Sequence, residues 1–396
     1  MGLNDTVSAE RIHIGFYGMR NAGKSSVVNA VTSQKLSLVS DVKGTTTDPV
    51  KKAMELLPLG PVVILDTPGL DDEGELGKMR VERAMQMLSK TDIAVIVVDS
   101  AIGKGELDIS LENELKKRNI PFIVAYNKLD LGVRKTELSE NEICVSALTG
   151  EGIDALKAML GRFAKQMPQK KLLVSDLISR GDVVVLVTPI DESAPKGRII
   201  LPQQLVLRDV LDSHAMAIVC QTDELAEALE KLSIPPKIVI TDSQVFGKVS
   251  TIVPENVPLT SFSIVMARYK GELDSQIKGF NALKGLRDGD RVLICEGCTH
   301  HRQCNDIGSV KMPSWIENYA KVKIDFSFSS GGDFPPDLSE YALIVHCGGC
   351  MLNEAEMKSR VQRANEAGVP IVNYGIAIAG MHGILERSIA PFGNVN

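Results

Sequence analysis

The octapeptide Gly18-Met19-Arg20-Asn21-Ala22-Gly23-Lys24-Ser25 constrains the fold of this chain more than any other stretch. It stands between an apolar run, Ile12 to Tyr17, and a segment that opens as a helix. Glycines at its first and sixth positions let successive backbone N–H groups turn inward, and a helix N-terminus adds its positive dipole end, so the loop can wrap phosphate. Lys24 then supplies a point charge to the outer phosphates, and the Ser25 hydroxyl, with Ser26 beside it, supplies a ligand for Mg2+. A loop of this kind leaves the carboxyl end of a strand and enters a helix. From Arg11 to about Gln166, β-branched runs such as Ala94 to Asp99 and Pro121 to Tyr126 alternate with amphipathic stretches such as Leu76 to Lys90. The pattern predicts an α/β domain, a P-loop fold with a mostly parallel sheet.

Three further segments select the nucleotide. Asp66-Thr67-Pro68-Gly69 follows the apolar run Val62 to Leu65; there Asp66 is placed to hold magnesium through water, and the Gly69 N–H to sense a γ-phosphate. Asn127-Lys128-Leu129-Asp130 ends another apolar run. The Asp130 carboxylate can accept from the two N–H groups on the edge of guanine, a pair that adenine does not present. Ser146-Ala147-Leu148 then contacts the base carbonyl. The expectation is GTP with Mg2+, bound by Gly18, Asn21, Ala22, Gly23, Lys24, Ser25, Ser26, Asp66, Gly69, Asn127, Lys128, Asp130, Ser146, Ala147 and Leu148.

These segments resemble the small bacterial GTPases that include Era and the tRNA-modification GTPase known as MnmE or TrmE. The resemblance implies that Gly44-Thr45-Thr46-Thr47-Asp48 is the first switch, with Thr46 sensing magnesium, and that Asn21 holds K+. Leu70 occupies the position at which Ras-like enzymes keep a water-orienting glutamine. Unaided hydrolysis, carried by Lys24, Thr46, Asp66 and Gly69, is therefore expected to be slow, on the scale of ~10⁻⁴ to 10⁻³ s⁻¹, and stimulated by potassium.

At 396 residues the chain has room for two or three domains. The expected divisions are a tail at 1–10, the nucleotide domain at 11–166, a linker at 167–171, a small α/β domain at 172–265 and a further α/β domain at 266–396. Hydrophobic content of 44% with 24% charged residues is that of a soluble globular protein. A net charge of −6 argues against a nucleic-acid partner. No apolar run approaches the ~18 residues of a membrane span, and Met1 to Glu10 lacks a basic segment followed by an apolar one, so a cytoplasmic location is expected.

The middle block alternates strand-like and helical stretches: Asp182 to Thr188, Gln203 to Ser213, Ala215 to Gln221, Asp223 to Leu232 and Lys237 to Thr241. It carries no catalytic constellation and is, by elimination, a candidate for self-association. The last block reads as a helix Gly271 to Gly285, strands Asp290 to Cys295 and Tyr341 to His346, a helix Glu354 to Ala367 and a strand Val369 to Asn373.

The chain has seven cysteines, an odd number that disfavours a disulfide framework, and five of them lie between residues 295 and 350 with three of the six histidines. Three of these cysteines and two of these histidines fall into two groups, Cys298-Thr299-His300 and His346-Cys347-Gly348-Gly349-Cys350, at the carboxyl ends of two expected strands, the edge where open α/β sheets bind ligands. Spacing leaves three readings open. Cys295, Cys298, Cys347 and Cys350 can form a four-thiolate zinc site. Cys298, Cys347 and Cys350 alone can hold three corners of an iron–sulfur cube. All can be packing cysteines.

The succession of a GTPase domain, an α/β module and a Cys-x-His…His-Cys-x2-Cys domain resembles the HydF family of FeFe-hydrogenase maturation GTPases along essentially the whole chain. The resemblance implies a 4Fe–4S cluster on Cys298, Cys347 and Cys350, a middle domain that forms a homodimer, and a scaffold role. The scaffold would receive a di-iron precursor carrying CO and cyanide, made with two radical-SAM maturases, and pass it to apo FeFe-hydrogenase. Candidates for the fourth ligand are His300, His346, Asp191 and Glu192; Cys295 and Cys304 are accessory. The rival expectation is an Era-like RNA or ribosome-assembly GTPase with a structural zinc domain.

Overall fold

The structure is a computed structural model that describes residues 8–33, 50–67, 84–132, 135, 137–167, 172–190, 199–271, 273–297 and 306–393. Thr46, Gly69, Leu70, Asp191, Glu192, Cys298, His300 and Cys304 lie outside the described residues, as do most of the expected tail and linker. The chain divides into two compact units, 1–168 and 169–396.

The first unit is built on six strands: β1 (Ile12–Tyr17), β2 (Val50–Leu56), β3 (Gly60–Asp66), β4 (Ile93–Asp99), β5 (Phe122–Asn127) and β6 (Glu142–Cys144). They lie in the order β2-β3-β1-β4-β5-β6, all parallel except for β2, which runs antiparallel to β3. The α/β expectation with a mostly parallel sheet holds. Burial on both faces explains the continuous apolar runs. In β4, Ile93, Val95 and Val97 pack with Val27, Val31, Leu156 and Leu160 of the helices Lys24–Thr32 and Ile153–Gln166. Ala94, Ile96 and Val98 face the other way, onto Leu111 and Leu115 of the helix Glu106–Lys117.

The second unit holds two four-stranded parallel sheets. One comprises β7 (Val183–Val187), β8 (Met216–Cys220), β9 (Ile238–Thr241) and β10 (Leu259–Ser261), in the order β10-β9-β7-β8. The other comprises β11 (Arg291–Glu296), β12 (Asp325–Ser330), β13 (Leu343–His346) and β14 (Ile371–Asn373), in the order β12-β11-β13-β14. A single core joins them, since Val185, Val187 and Val239 of the first sheet cluster with Val292, Ile294 and Val345 of the second. At its centre lies the helix Tyr374–Met381, whose Ile376, Ala377, Ile378 and Ala379 are all buried. The helix Phe262–Tyr269 runs across the boundary expected at 265–266.

Arg387, in the short helix Leu385–Ile389, ties the last segment to this core. Its guanidinium donates to the carbonyl oxygens of Ser250 (3.2 Å), Val253 (2.9 Å), Pro254 (2.6 Å) and Val257 (3.4 Å), closing the C-terminal end of the helix Phe246–Ile252 and the turn after it. Carbonyls that lose a charged donor in a partly buried setting cost more than an ordinary hydrogen bond. Arg387→Ala is expected to lower unfolding stability by about 2–3 kcal/mol in urea titrations. Arg387→Lys, a single ammonium in place of a planar fork, is expected to recover only part of it.

Candidate functional site: a phosphate loop and a buried thiol loop

In the first unit, β1 delivers Gly18 and the helix Lys24–Thr32 begins directly after Gly23. Gly23 has φ +88°, and a Cβ there would sit 2.3 Å from Nδ2 of Asn127, so the position excludes any side chain. That close approach has a purpose. Asn127 Nδ2 donates to the carbonyl of Ala22 at 3.0 Å, while its Oδ1 accepts from the Ala147 N–H at 3.0 Å. One buried side chain thus ties the phosphate loop to both segments expected to recognise the base. The Ser146 hydroxyl donates to Asp130 Oδ1 at 2.5 Å and accepts from the Thr149 N–H at 3.1 Å, which holds the Asp130 carboxylate in place.

Lys24 is buried, and its ammonium donates to the carbonyls of Gly18 (2.9 Å) and Met19 (3.3 Å). Burial raises the Asp66 carboxyl above its ordinary range, and the positive charge of Lys24 works against that rise. Lys128, in the left-handed region at φ +69°, reaches Asp99 at the end of β4 with a 2.6 Å hydrogen bond. Burial works to raise the Asp99 carboxyl, but the Lys128 bond and the Ala101 N–H outweigh it and leave it below its usual range. Leu148 stands exposed beside this site. Gly18, Asn21, Ala22, Lys24, Ser25 and Ser26 are consecutive or nearly so in one turn, and Asp66 ends the adjacent β3. The β1–β3 pairing and Asn127 therefore gather the described members of the expected nucleotide site at the carboxyl edge of one sheet.

The thiol loop leaves the carboxyl end of β13 in the second unit. The Cys347 N–H donates to the Cys295 carbonyl on β11, extending the strand pairing by one bond (2.9 Å). Cys347 Sγ receives the N–H groups of Gly297 (3.1 Å) and Gly349 (3.4 Å). Gly349 adopts φ +61°, and a Cβ there would meet Met357 Sδ at 2.6 Å, so any other residue would have to displace the Met357 side chain and accept a left-handed backbone. Cys350 packs against the cluster containing Phe262, Val265 and Met266. Burial raises the Cys347 thiol and pushes Cys350 up to about 12, with Cys347 adding to the latter.

The four-thiolate reading and one fourth-ligand candidate are corrected, while Cys295 as an accessory residue is not contradicted. Cys295 does not share the loop's face of the sheet. Side chains alternate along β11, and Cys295 falls with Leu293, Ile344 and Ile371 in a core on the opposite side, hydrogen-bonded to the Ser329 hydroxyl at 3.4 Å. The four-thiolate zinc reading thereby loses one ligand. His346 is also unavailable as a fourth ligand, because it is fully buried and both ring nitrogens have partners: Nδ1 lies 2.7 Å from the Cys347 carbonyl oxygen and Nε2 3.0 Å from Arg360 Nη1. Burial first, and Arg360 second, hold its imidazole down to about 3, so it is neutral. Among the described residues no group of three or more His, Cys, Asp or Glu side chains is arranged to hold a metal. Sequence reading missed Arg360 and Glu296, a buried carboxylate at the end of β11. Arg360 carries no motif signal, and Glu296 is marked only by its position beside Gly297.

Comparison with known proteins decides the family. Residues 274–391 match the hydrogen maturase F tetramerization domain, and residues 173–271 match the hydrogen maturase F dimerization domain. The chain belongs to the hydrogen maturase F family. Residues 13–128 match the model described as 50S ribosome-binding GTPase. In that first region the chain is similar to the tRNA modification GTPase MnmE of Nitrosomonas europaea, 33% identical over 156 residues, covering 38% of this chain and 34% of that one. It is likewise similar to GTPase Der of Wolinella succinogenes, 33% identical over 177 residues, covering 40% and 37%. The chain spans about a third of the length of these curated relatives. Among solved structures, an Aquifex aeolicus Era variant bound to GDP·AlF4⁻ aligns at 21% identity and TM-score 0.33, covering 52% of this chain and 91% of that one. Among the described residues no helix is long and apolar enough to cross a membrane.

Proposed function

We propose that this chain is a GTP-hydrolysing scaffold of FeFe-hydrogenase maturation that carries a 4Fe–4S cluster on its thiol loop. The observation that carries the proposal is the Cys347–Cys350 turn at the carboxyl edge of a hydrogen maturase F sheet, with two backbone N–H groups on Cys347 Sγ. N–H donors of this kind stabilise a thiolate, whereas the surrounding burial resists a bare negative charge. A cationic metal centre resolves that conflict, so the donor set fits the group. Cys347, Cys350 and Cys298 would hold the cluster. With three thiolates, one iron keeps an exchangeable ligand, so an incoming group can dock there without a strong bond having to break. His300, Asp191 and Glu192 remain candidates for that fourth position.

In this reading Lys24 and the backbone N–H groups of the loop bind the phosphates of GTP, Asp130 selects guanine, and Asp66 with Ser25 and Thr46 holds Mg2+. Turnover is slow because Leu70 replaces a water-orienting glutamine, and Asn21 confers potassium stimulation. GTP state governs binding or release of the di-iron cargo, the radical-SAM maturases and the apo-hydrogenase, with the chain acting as a homodimer or a larger assembly in the cytoplasm.

Anaerobic purification followed by metal and sulfide analysis tests the proposal. About four irons with matching sulfide per chain are expected; one zinc without sulfide points instead to the RNA-assembly GTPase with a structural metal. Loading is expected to favour higher pH. The raised thiols are protonated at neutrality and must lose their protons to bind, so apparent affinity climbs roughly tenfold per pH unit for each thiolate formed from about pH 7 upward, Cys350 being pushed up to about 12. Reconstitution at several pH values reads this slope, and a flat profile would mean that the buried thiols are not the ligands. GTP hydrolysis is expected to be faster in potassium than in sodium buffer of equal ionic strength.

A further inference from the structure

A buried polar chain runs behind the thiol loop. His346 Nε2 lies 3.0 Å from Arg360 Nη1, and Nη2 of the same guanidinium donates to Glu356 Oε1 at 2.9 Å and to the Gly331 carbonyl at 2.5 Å. His346, Arg360 and Glu356 are 0%, 2% and 7% exposed, and the Phe334 ring covers the guanidinium at 5.1 Å. Arg360 sits at the middle of the helix Glu354–Glu366 and Glu356 one turn before it.

The geometry dictates one protonation pattern. A guanidinium has N–H donors, no lone pair to offer, and does not release its proton. Nε2 of His346 must therefore accept from Arg360, since an imidazolium or an Nε2–H tautomer would set two donors against each other. The remaining proton is on Nδ1, and it points at a carbonyl oxygen, that of Cys347, at 2.7 Å. Arg360 thus chooses the tautomer, and the tautomer makes the bond to Cys347.

We propose that Arg360, acting through His346, is the positioning residue of the thiol loop. The Nδ1–H bond anchors the Cys347 carbonyl, the first peptide of the Gly348-Gly349 turn, and so keeps Cys347 Sγ beneath the N–H groups of Gly297 and Gly349. Two adjacent glycines leave that turn more conformational freedom than any other pair of residues would, so fixing its first peptide removes the largest source of slack. Glu356 balances the charge of Arg360, which lets the arginine stay buried without setting a bare cation behind the thiols. The proposal rests on the reading of the loop as a cluster site, and it explains why His346 stands beside the cysteines without being a ligand.

The test uses the full chain with ¹⁵N-labelled histidine, first without metal. Ring ¹⁵N spectra are expected to show His346, identified by its loss in His346→Asn, as the Nδ1–H tautomer, and Arg360→Met to abolish that signature. Alkylation of Cys347 in the metal-free chain is expected to speed up in Arg360→Met and in His346→Leu. His346→Asn, whose amide N–H reaches the place of Nδ1–H, is expected to react at the wild-type rate. After anaerobic reconstitution, iron loss to a chelator is expected to be at least about tenfold faster in Arg360→Met and His346→Leu, and unchanged in His346→Asn. Wild-type circular dichroism and a cooperative unfolding transition of the second unit serve as the folding control, since the substitutions lie in residues 169–396. An Nε2–H tautomer in the wild type, or wild-type alkylation in Arg360→Met and His346→Leu, overturns the proposal. A chain that takes up no iron would sink the cluster reading alone, since the tautomer and alkylation measurements need no metal.

Discussion

Replacing Lys24 by alanine is expected to lower GTP turnover by on the order of 10²–10³-fold, the range seen when one preorganised donor is taken from a developing negative charge. The size of the effect follows from where the ammonium sits. Lys24 is buried, and it lies over the carbonyls of Gly18 and Met19, so the loop already holds the charge in the low-dielectric place where phosphate is expected to bind. Little reorganisation is then needed during the reaction. Arginine is not expected to substitute, because a planar fork does not fit a cradle of two carbonyls on one loop as a compact ammonium does. Phosphate release and titration with a fluorescent GTP analogue measure the loss. Turnover in Lys24→Ala within a few-fold of wild type would remove the phosphate-loop assignment.

Cys347→Ser is expected to weaken cluster retention by at least 10–100-fold, the range that even supporting groups around metal sites produce, and to abolish hydrogenase maturation in a reconstituted assay. The serine oxygen is a harder donor with a shorter reach, and it still draws the N–H groups of Gly297 and Gly349 that Cys347 Sγ receives. Cys295→Ser is the matched control. It lies one residue before the end of β11, on the opposite face of the sheet, and is expected to leave iron content near wild type. Equal iron loss from both variants would mean that the two faces are not chemically distinct. Retention of maturation in Cys347→Ser would overturn the scaffold reading.

The strands that carry the two sites were legible because they are buried on both faces. Ile12 to Tyr17, Ala94 to Asp99 and Asp182 to Thr188 are runs of apolar residues bounded by polar ones, and β1, β4 and β7 fall on them. The strands that escaped notice lie at sheet edges or are short. In the edge strand β2, Val50–Leu56, only Leu56 is buried among the residues whose burial is described, so its VKKAMEL sequence has no alternating pattern to find. The edge strand β12, Asp325–Ser330, has no fully buried residue. The boundary expected at residue 265 falls inside the helix Phe262–Tyr269, a few residues before the division between the two matched family domains, 173–271 and 274–391, whose sheets share one core.

The sequence alone marked the chemistry to expect: a phosphate loop at Gly18 to Ser25, segments expected to recognise the base at Asn127 and Ser146, and a Cys-Gly-Gly-Cys turn after a buried strand. These are local patterns, in which residues a few positions apart act together, and spacing is enough to reveal them. Tertiary structure decided which groups are usable. Alternation along β11 turned Cys295 away from the loop, and an arginine 14 positions beyond His346 occupied the ring nitrogen that a metal would have needed. Both outcomes depend on what packs across a strand or down from a helix, and sequence spacing carries no record of that.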